Sequence, residues 1–84
     1  MTRVVLHPYV SEKAMILMEQ ENKLIMVVVR DSKSKEVKKD VEELYEVEVA
    51  KVNLYITPRG EKHAIVRLKP EYSAEEIGMR IGVF

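Results

Sequence analysis

The hydrophobic and polar positions along this chain switch repeatedly between a helical period and a strand period, which is the main sequence signal of secondary structure. The switches predict seven elements in the order β-α-β-α-β-β-α. In chain order these are a strand at 3–6, a helix from Ser11 to about Asn22, a strand at 24–29, a helix after the turn at 31–34, strands at 49–57 and 63–69, and a helix from Ser73 to Gly82. This order is typical of a small α+β sandwich, in which helices pack on a mainly antiparallel four-stranded sheet.

Capping residues mark the ends of the first and third helices. Ser11 is a typical N-cap, and Glu12 in the first turn complements the positive end of the helix dipole. Ser73 and Glu76 lie three residues apart and form a capping-box pattern, and Gly82 ends this helix.

The second helix has the most regular apolar stripe, with spacings of i, i+4, i+7 and i+8. The stripe consists of Val37, Val41, Leu44 and Tyr45. We expect these four side chains to face the core, because they lie on one side of a helix. The preceding turn offers Ser32 or Ser34 as the N-cap.

The predicted strands differ in how their two faces are covered. The strand at 24–29 is apolar throughout, which indicates either two covered faces or a second face with little water contact. The last two strands form a β-hairpin around a turn at 58–60. Its apolar face consists of Val52, Leu54, Ile56, Ala64, Val66 and Leu68, and its polar face includes Lys51, Asn53, Tyr55, Thr57, His63 and Arg67.

Length and composition narrow the possible functions. The 84 residues make one small domain, and the absence of cysteine excludes disulfides, thiol chemistry and cysteine-bound zinc. The longest apolar run is the strand at 24–29, whereas a membrane span needs about 20 residues, so we expect no membrane span. The 14 basic and 14 acidic residues balance, so a nucleic-acid partner has to be argued from local charge.

The inventory of catalytic groups is small. The only histidines, His7 and His63, are 56 residues apart, and neither lies in a metal-ligand spacing. Adjacent acids such as Glu42 and Glu43 point to different sides of a helix, so they do not pair for acid–base catalysis. The chain has no nucleophile elbow, P-loop or dinucleotide-binding motif. We therefore expect no enzyme activity, no metal site and no cofactor.

Local charge is distributed unevenly. Five bases lie between residues 30 and 39, whereas residues 40–48 carry five acids and no base. A helix start flanked by lysines can hold a phosphate, and the hairpin combines bases with amide and aromatic side chains. Both features fit structured RNA, which is read largely by its shape, backbone and 2′-hydroxyls. The same pattern fits a solvated surface or a protein-interaction module, and composition does not decide between them.

Three segments resemble the family of large-ribosomal-subunit protein twenty-three. They are His-Pro-Tyr-Val-Ser-Glu-Lys-Ala at 7–14, Lys-Glu-Val-Lys-Lys-Asp-Val-Glu-Glu-Leu-Tyr-Glu-Val at 35–47, and Val-Ala-Lys-Val-Asn at 49–53. The segments occur in the family's order, and the resemblance extends over essentially the whole chain.

The resemblance implies a cytoplasmic ribosomal protein that binds large-subunit (23S) rRNA near the polypeptide exit tunnel. It also implies contact with neighbouring ribosomal proteins, and a monomer within the ribosome. Family members form a docking site for factors that meet the emerging chain, such as the signal recognition particle, nascent-chain-associated factors and chaperones. Bacterial members dock trigger factor through a Ser-Glu pair that corresponds here to Ser11 and Glu12.

One departure from the family concerns the hairpin turn. Bacterial members have a long basic loop there that reaches into the tunnel, whereas this chain turns within 57–61. We therefore expect no tunnel-lining role. The short turn and the segment at 70–84 resemble the archaeal form of the family.

Local charge and resemblance together predict which residues contact rRNA. They are Lys33, Lys35, Lys38, Lys39, Lys51, Asn53, Tyr55, Thr57, Arg59, Lys62, His63 and Arg67. We expect the acids Glu42, Glu43, Glu46 and Glu48 to face away from the RNA. The alternative is a free adaptor domain that captures a protein partner with this acidic end of the second helix. An acylphosphatase-like enzyme would need a glycine in the loop before the first helix, which residues 7–10 lack.

Overall fold

A computed structural model of the chain describes residues 3–82, and these residues form the seven elements in the predicted order. The elements are β1 (Val5–Pro8), α1 (Glu12–Glu21), β2 (Lys23–Val28), α2 (Ser34–Tyr45), β3 (Val49–Ile56), β4 (Lys62–Leu68) and α3 (Ala74–Arg80). The predicted α+β class is confirmed. Among the described residues, no helix combines the length and apolar character needed to cross a bilayer.

The four strands form one sheet in the order β1-β2-β4-β3, and each neighbouring pair is antiparallel. The hairpin partner β4 therefore lies between β2 and β3, which run in the same direction. The connection from β2 to β3 passes through α2 and crosses over β4, as in a split β-α-β unit.

All three helices cover the same face of the sheet. Their buried side chains form one cluster with alternate residues of the two central strands. The cluster includes Met18, Val37, Val41, Ala74 and Ile77 from the helices, and Leu24, Met26, Val28, Ala64, Val66 and Leu68 from β2 and β4. We call the opposite side of the sheet, which no described helix covers, the open face.

The open face of β2 is nevertheless dry. Ile25 and Val27 point to this face but are only 4% and 5% exposed. Ile25 lies between Tyr9 and Ile65 of the neighbouring segments, and Val27 lies between His7 and His63. This explains why β2 is apolar throughout although helices cover it on one face alone.

The first strand lies two residues further along the chain than predicted. The pattern predicted a strand at 3–6, but β1 spans Val5–Pro8. Proline is tolerated there because β1 is at the edge of the sheet, where a missing N–H breaks no ladder on the outer side. Pairing with β2 continues beyond Pro8, since the Tyr9 N–H donates to the Ile25 carbonyl at 2.9 Å.

The predicted caps of α1 and α3 are confirmed. The Ser11 hydroxyl oxygen accepts from the Ala14 N–H at 3.1 Å, and that of Ser73 accepts from the Glu76 N–H at 3.2 Å. At the end of α1, Asn22 adopts the left-handed conformation with φ of 55°. Its side chain then ties α1 to α3, because Oδ1 accepts from the Ala74 N–H at 2.6 Å.

The start of α2 differs from the prediction, because neither serine caps it. Ser32 is buried and its hydroxyl donates to the Val29 carbonyl, while Ser34 is already inside the helix. The N-cap position is Lys33, whose N–H donates to the Glu36 carboxylate at 2.9 Å. A hydrogen bond from the Lys33 N–H back to a carboxylate inside the helix thus takes the place of a hydroxyl cap.

Two predicted core positions lie outside the core. Leu44 of α2 is 40% exposed and Ile56 at the end of β3 is 55% exposed. Ile56 is the last residue of β3, next to the turn that leads into β4. On α2, the buried polar residue is Asp40, which lies on the same side of the helix as Val37 and Val41.

Asp40 connects α2 to the beginning of β1. Its Oδ2 accepts from the Val4 and Val5 N–H groups at 2.8 and 2.9 Å, and its Oδ1 accepts from the Arg3 guanidinium at 2.7 Å. Burial raises the pKa of Asp40, but the hydrogen bonds from Val5, Arg3 and Val4 outweigh burial and hold the pKa below its usual value. The carboxylate form of Asp40 is therefore the one that the fold stabilises.

We expect Asp40→Asn to lower the free energy of unfolding by about 1 to 3 kcal/mol at pH 7, because an amide leaves a buried N–H poorly satisfied. Since the folded-state pKa is lowered, the stabilisation is complete above the unfolded pKa near 4 and is lost as pH falls through the folded pKa. Urea denaturation at pH 7 and below pH 4 measures the difference between variant and wild type. That difference should shrink in acid, and a constant difference would contradict the role of the charge. Asp31→Asn, at an exposed turn, is the control.

Candidate nucleic-acid interface

The open face consists of three transverse rows, because β2, β4 and β3 are in register across the sheet. The first row is Lys23, Arg67 and Lys51, the second is Ile25, Ile65 and Asn53, and the third is Val27, His63 and Tyr55. Of the predicted rRNA contacts, Lys51, Asn53, Tyr55, His63 and Arg67 are therefore brought together on one surface.

The first row, which we call the basic row, brings three cations together on adjacent strands. Directly opposite side chains in an antiparallel pair have Cβ atoms about 5 Å apart, and like charges there repel. Within residues 3–82, one acid is paired with the row, with Glu21 Oε1 at 2.9 Å from Lys23 Nζ. The three basic side chains line a shallow depression of about 70 Å³ together with Asn53 and Ile65. The depression is a polar, cationic site with room for a small anionic group.

The third row continues into an aromatic cluster, formed by Tyr9, Tyr55 and His63. The Tyr9 and His63 rings lie 4.5 Å apart between centroids, and the Tyr55 ring meets the His63 ring edge-on at 5.3 Å. His63 was expected at the surface, but it is only 2% exposed because the two tyrosines cover it. Tyr9 and Tyr55 are 37% and 39% exposed, so the surface of the cluster is made by the phenol rings.

Both ring nitrogens of His63 have partners. Nε2 lies 3.3 Å from Glu61 Oε1, and Nδ1 lies 3.1 Å from the Tyr55 hydroxyl. A carboxylate only accepts, so Nε2 carries the hydrogen and, in the neutral ring, Nδ1 accepts from Tyr55. Partial burial, with the nearby Tyr9 phenol, raises the pKa of Tyr55, which keeps its hydroxyl protonated at neutral pH. The histidine thus fixes the orientation of Tyr55.

The turn of the hairpin lies against the turn that precedes α2. Lys62 points to the helix-covered side of the sheet, and its Nζ donates to the Ser32 carbonyl at 2.6 Å. A methyl group added at Gly60 would come within 3.8 Å of Arg30 Nη1. We call this junction the hairpin end. Arg59 is exposed there, and Thr57 closes the turn through its N–H bond of 2.8 Å to the Glu61 carbonyl.

The predicted lysines of α2 are exposed but lie on the other layer of the molecule. Lys33, at the N-cap, is next to the hairpin end, whereas Lys35 and Lys39 share the outward stripe of α2 and Lys38 lies on its flank. Because α2 packs on the helix-covered face, these lysines do not adjoin the open face. The predicted rRNA contacts therefore lie on two surfaces, which meet at the hairpin end.

The first helix presents the remaining predicted pair. Ser11 is half-buried and engaged as the N-cap, whereas Glu12 is exposed in the first turn. Exposed apolar side chains flank Glu12, with Val10 at 56% and Ile16 at 45% exposure. Ile16 is four residues after Glu12 and lies on the same stripe of the helix. This surface combines one acid with apolar contacts.

Most of the acidic end of α2 is engaged in the fold. The Glu42 carboxylate accepts from the Val49 N–H at 2.9 Å, and Glu43 lies 3.4 Å from the Arg3 guanidinium. Glu48 pairs with Lys69 at 3.0 Å, and the hydrogen bond from this ammonium lowers the pKa of the carboxyl. Glu46 occupies the left-handed C-cap position. Lys69, which directly follows β4, therefore belongs to this end.

Three residues of these surfaces are absent from the predicted rRNA contacts. Lys23 completes the basic row, Arg30 joins the hairpin end and Tyr9 forms half of the aromatic surface. Lys23 could have been found by its alternation with Ile25 and Val27 along one strand. Tyr9 could not, because its contact with His63 joins residues 54 positions apart in the chain. Within residues 3–82, no group of three or more His, Cys, Asp or Glu side chains is placed to hold a metal ion.

Comparisons with known proteins agree with the resemblance found in the sequence. The family model of ribosomal protein L23 matches residues 3–76. The chain is 47% identical to the large ribosomal subunit protein uL23 of Methanothermobacter thermautotrophicus over 96% of this chain and 94% of the relative. It is 48% identical to the uL23 protein of Thermoplasma acidophilum over 96% of this chain and 95% of that protein. These relatives are archaeal, and the chain belongs to the ribosomal protein L23 family.

Proposed function

We propose that this protein binds large-subunit (23S) rRNA near the polypeptide exit tunnel through the open face and the hairpin end. We further propose that the start of its first helix helps to dock factors that meet the nascent chain. As a member of the ribosomal protein L23 family, the chain is a structural constituent of the large subunit of the cytoplasmic ribosome and not an enzyme. The proposal concerns how its surfaces serve that role.

The observation that carries the rRNA proposal is the basic row. Lys23, Arg67 and Lys51 lie side by side on three adjacent strands, although their mutual repulsion disfavours this arrangement in the isolated domain. Phosphate groups of RNA offset the repulsion and release counterions, which makes binding favourable and dependent on salt. Asn53 and Ile65 adjoin the row and offer an amide and an apolar surface to sugar or base edges.

The hairpin end extends this surface in the direction of α2. Arg59 and Lys33 are exposed there, and Arg30 lies beside Gly60. The Lys62 ammonium already donates to the Ser32 carbonyl. Lys62 therefore adds positive charge near the RNA but offers fewer hydrogen bonds to it. Lys35, Lys38 and Lys39 lie around the edge on α2, so they reach RNA only where the RNA bends past the hairpin end.

The internal contacts of the acids favour this proposal over the adaptor alternative. Glu42, Glu43 and Glu48 serve the fold through Val49, Arg3 and Lys69 respectively. A partner that captured these acids would have to displace contacts that the domain already makes. On the open face, the internal contact of a base that RNA would have to displace is the ion pair between Lys23 and Glu21.

For factor docking, the support is the exposed surface around Glu12. Val10 and Ile16 provide apolar contact area on either side of an exposed carboxylate. Such a surface fits a partner with a basic group beside an apolar patch, as the family resemblance implies for the signal recognition particle or a nascent-chain-associated factor. Ser11 supports this surface indirectly, since its hydroxyl caps the helix that presents Glu12.

The double variant Lys51→Gln with Arg67→Gln tests the basic row. We expect the slope of log affinity against log salt to become less steep by about two units, since each lost phosphate contact removes about one. Filter binding of the purified protein to transcribed archaeal large-subunit rRNA, at several salt concentrations, measures the slope. Arg80→Gln, an exposed base on α3, is the matched control and should leave it unchanged. An unaltered slope in the double variant would exclude the basic row, and a wild-type protein without salt-dependent affinity would exclude rRNA binding.

A separate prediction concerns Glu12→Ala. We expect it to weaken the binding of signal recognition particle to assembled large subunits roughly 10- to 150-fold, as the loss of one charge-assisted contact does, without impairing assembly. Because Glu12 also complements the helix dipole, the domain should lose less than about 1 kcal/mol of stability. Glu75→Ala, at the first turn of α3, provides the control. Equal factor affinity for wild-type and Glu12→Ala subunits would remove Glu12 from the docking site.

A further inference from the structure

We propose that the aromatic cluster is a binding site for an unpaired nucleobase of rRNA, which stacks on the rings of Tyr9 and Tyr55. This inference rests on the proposed rRNA binding and adds the class of ligand that the open face takes. It differs from backbone recognition of a duplex, because the aromatic cluster requires a base that has left its helix.

The geometry of the rings carries the inference. Tyr9 and Tyr55 reach the open face from opposite edges of the sheet, Tyr9 from the segment after β1 and Tyr55 from β3. Both rings contact His63, which lies between them. Each phenol is more than one-third exposed although the histidine beneath is 2% exposed. Two aromatic surfaces are therefore held at adjacent positions on a rigid sheet. Stacking on such surfaces tolerates any base, because every base has a π-face.

The histidine beneath the two tyrosine rings is held by hydrogen bonds on both of its ring nitrogens. His63 is held by the Glu61 carboxylate on one nitrogen, and its other nitrogen lies 3.1 Å from the Tyr55 hydroxyl. The rings are consequently ordered before any ligand binds, which lowers the conformational entropy lost on binding. A surface tyrosine that served only to cover the sheet would not require this network.

The charges around the open face favour a base at the cluster and a phosphate at the basic row. Glu61 lies beside the cluster and repels a phosphate there, but it does not repel a neutral base. The basic row lies four residues further along β4, from His63 to Arg67, or about 14 Å away at 3.4 Å per residue. One single-stranded segment can therefore place a base on the tyrosines while a phosphate further along the strand reaches Arg67 and its neighbours.

The test combines affinity with a footprint at nucleotide resolution. Wild-type protein and the variants Tyr9→Leu and Tyr55→Leu are bound to transcribed archaeal large-subunit rRNA, and the 2′-hydroxyl acylation of each nucleotide is measured. We expect each leucine variant to lose roughly five- to 100-fold in affinity, as base–aromatic stacking contributes, while the slope of log affinity against log salt stays unchanged. At least one unpaired nucleotide should be protected by the wild type and reactive again with the variants.

Two further variants separate stacking from folding. Tyr55→Phe keeps the ring but removes the hydroxyl, so it should retain the protected nucleotide and bind within about threefold of wild type. Met79→Ala truncates an exposed apolar side chain on α3 and should behave as wild type. Thermal unfolding of every variant shows that the domain is folded at the assay temperature. Leucine is used because it keeps apolar bulk over His63 without a planar ring.

The outcomes distinguish this inference from the proposed function. If the leucine variants bind with wild-type affinity and give the wild-type footprint, the aromatic site is wrong while rRNA binding stands. If the affected nucleotides are all base-paired, the site is likewise wrong, because the rings then contact a duplex. If the wild-type protein has no salt-dependent affinity for the rRNA, the proposed function fails first.

Discussion

The structure depends on the burial of one apolar sheet face under three helices. Leu24, Met26 and Val28 alternate with residues of the opposite face, and Ala64 and Val66 do the same on β4. Because both central strands turn these residues the same way, a single core forms between the sheet and the helices. A domain of this size has few apolar residues for a second core. The other face of the sheet is left free of helices, and the surface that we assign to rRNA is a consequence of that one-sided burial.

Net neutrality does not describe the surface of this protein. Several acids serve internal contacts, as Asp40 does with the N–H groups of Val4 and Val5 and as Glu42 does with that of Val49. Bases such as Lys51 and Arg67 remain at the open face, where repulsion between them opposes their placement. Acids that hold the fold and bases that remain available for a polyanion therefore add up to a net charge of zero.

Aromatic and basic groups divide the open face into sites of different chemistry. His63 shows how the division arises, since an imidazole expected at the surface instead supports Tyr55 and Tyr9 from below. The histidine gives order to the tyrosines, and the tyrosines exclude water from the histidine. At the hairpin end, Lys62 has a similar supporting role, because its ammonium donates to the Ser32 carbonyl in the turn before α2. The residues that the sequence predicts as RNA contacts thus divide into two kinds. Some, such as His63 and Lys62, hold the surface in place, and others, such as Tyr55, are exposed on it.

The sequence by itself determined the order of the elements, the Ser11 and Ser73 caps, the hairpin and the family, because these depend on neighbours within a few residues of one another. It also located Arg67 and Lys51 on one face, since the period of a strand is two. Only the tertiary structure decided that the helices share one side of the sheet, that the α2 lysines lie away from the open face, and that Tyr9 joins the site. Those facts follow from strand order and register, which bring together residues far apart in the chain. The local sequence pattern does not show which strands pair, so the full set of residues on the open face could be identified only from the structure of the sheet.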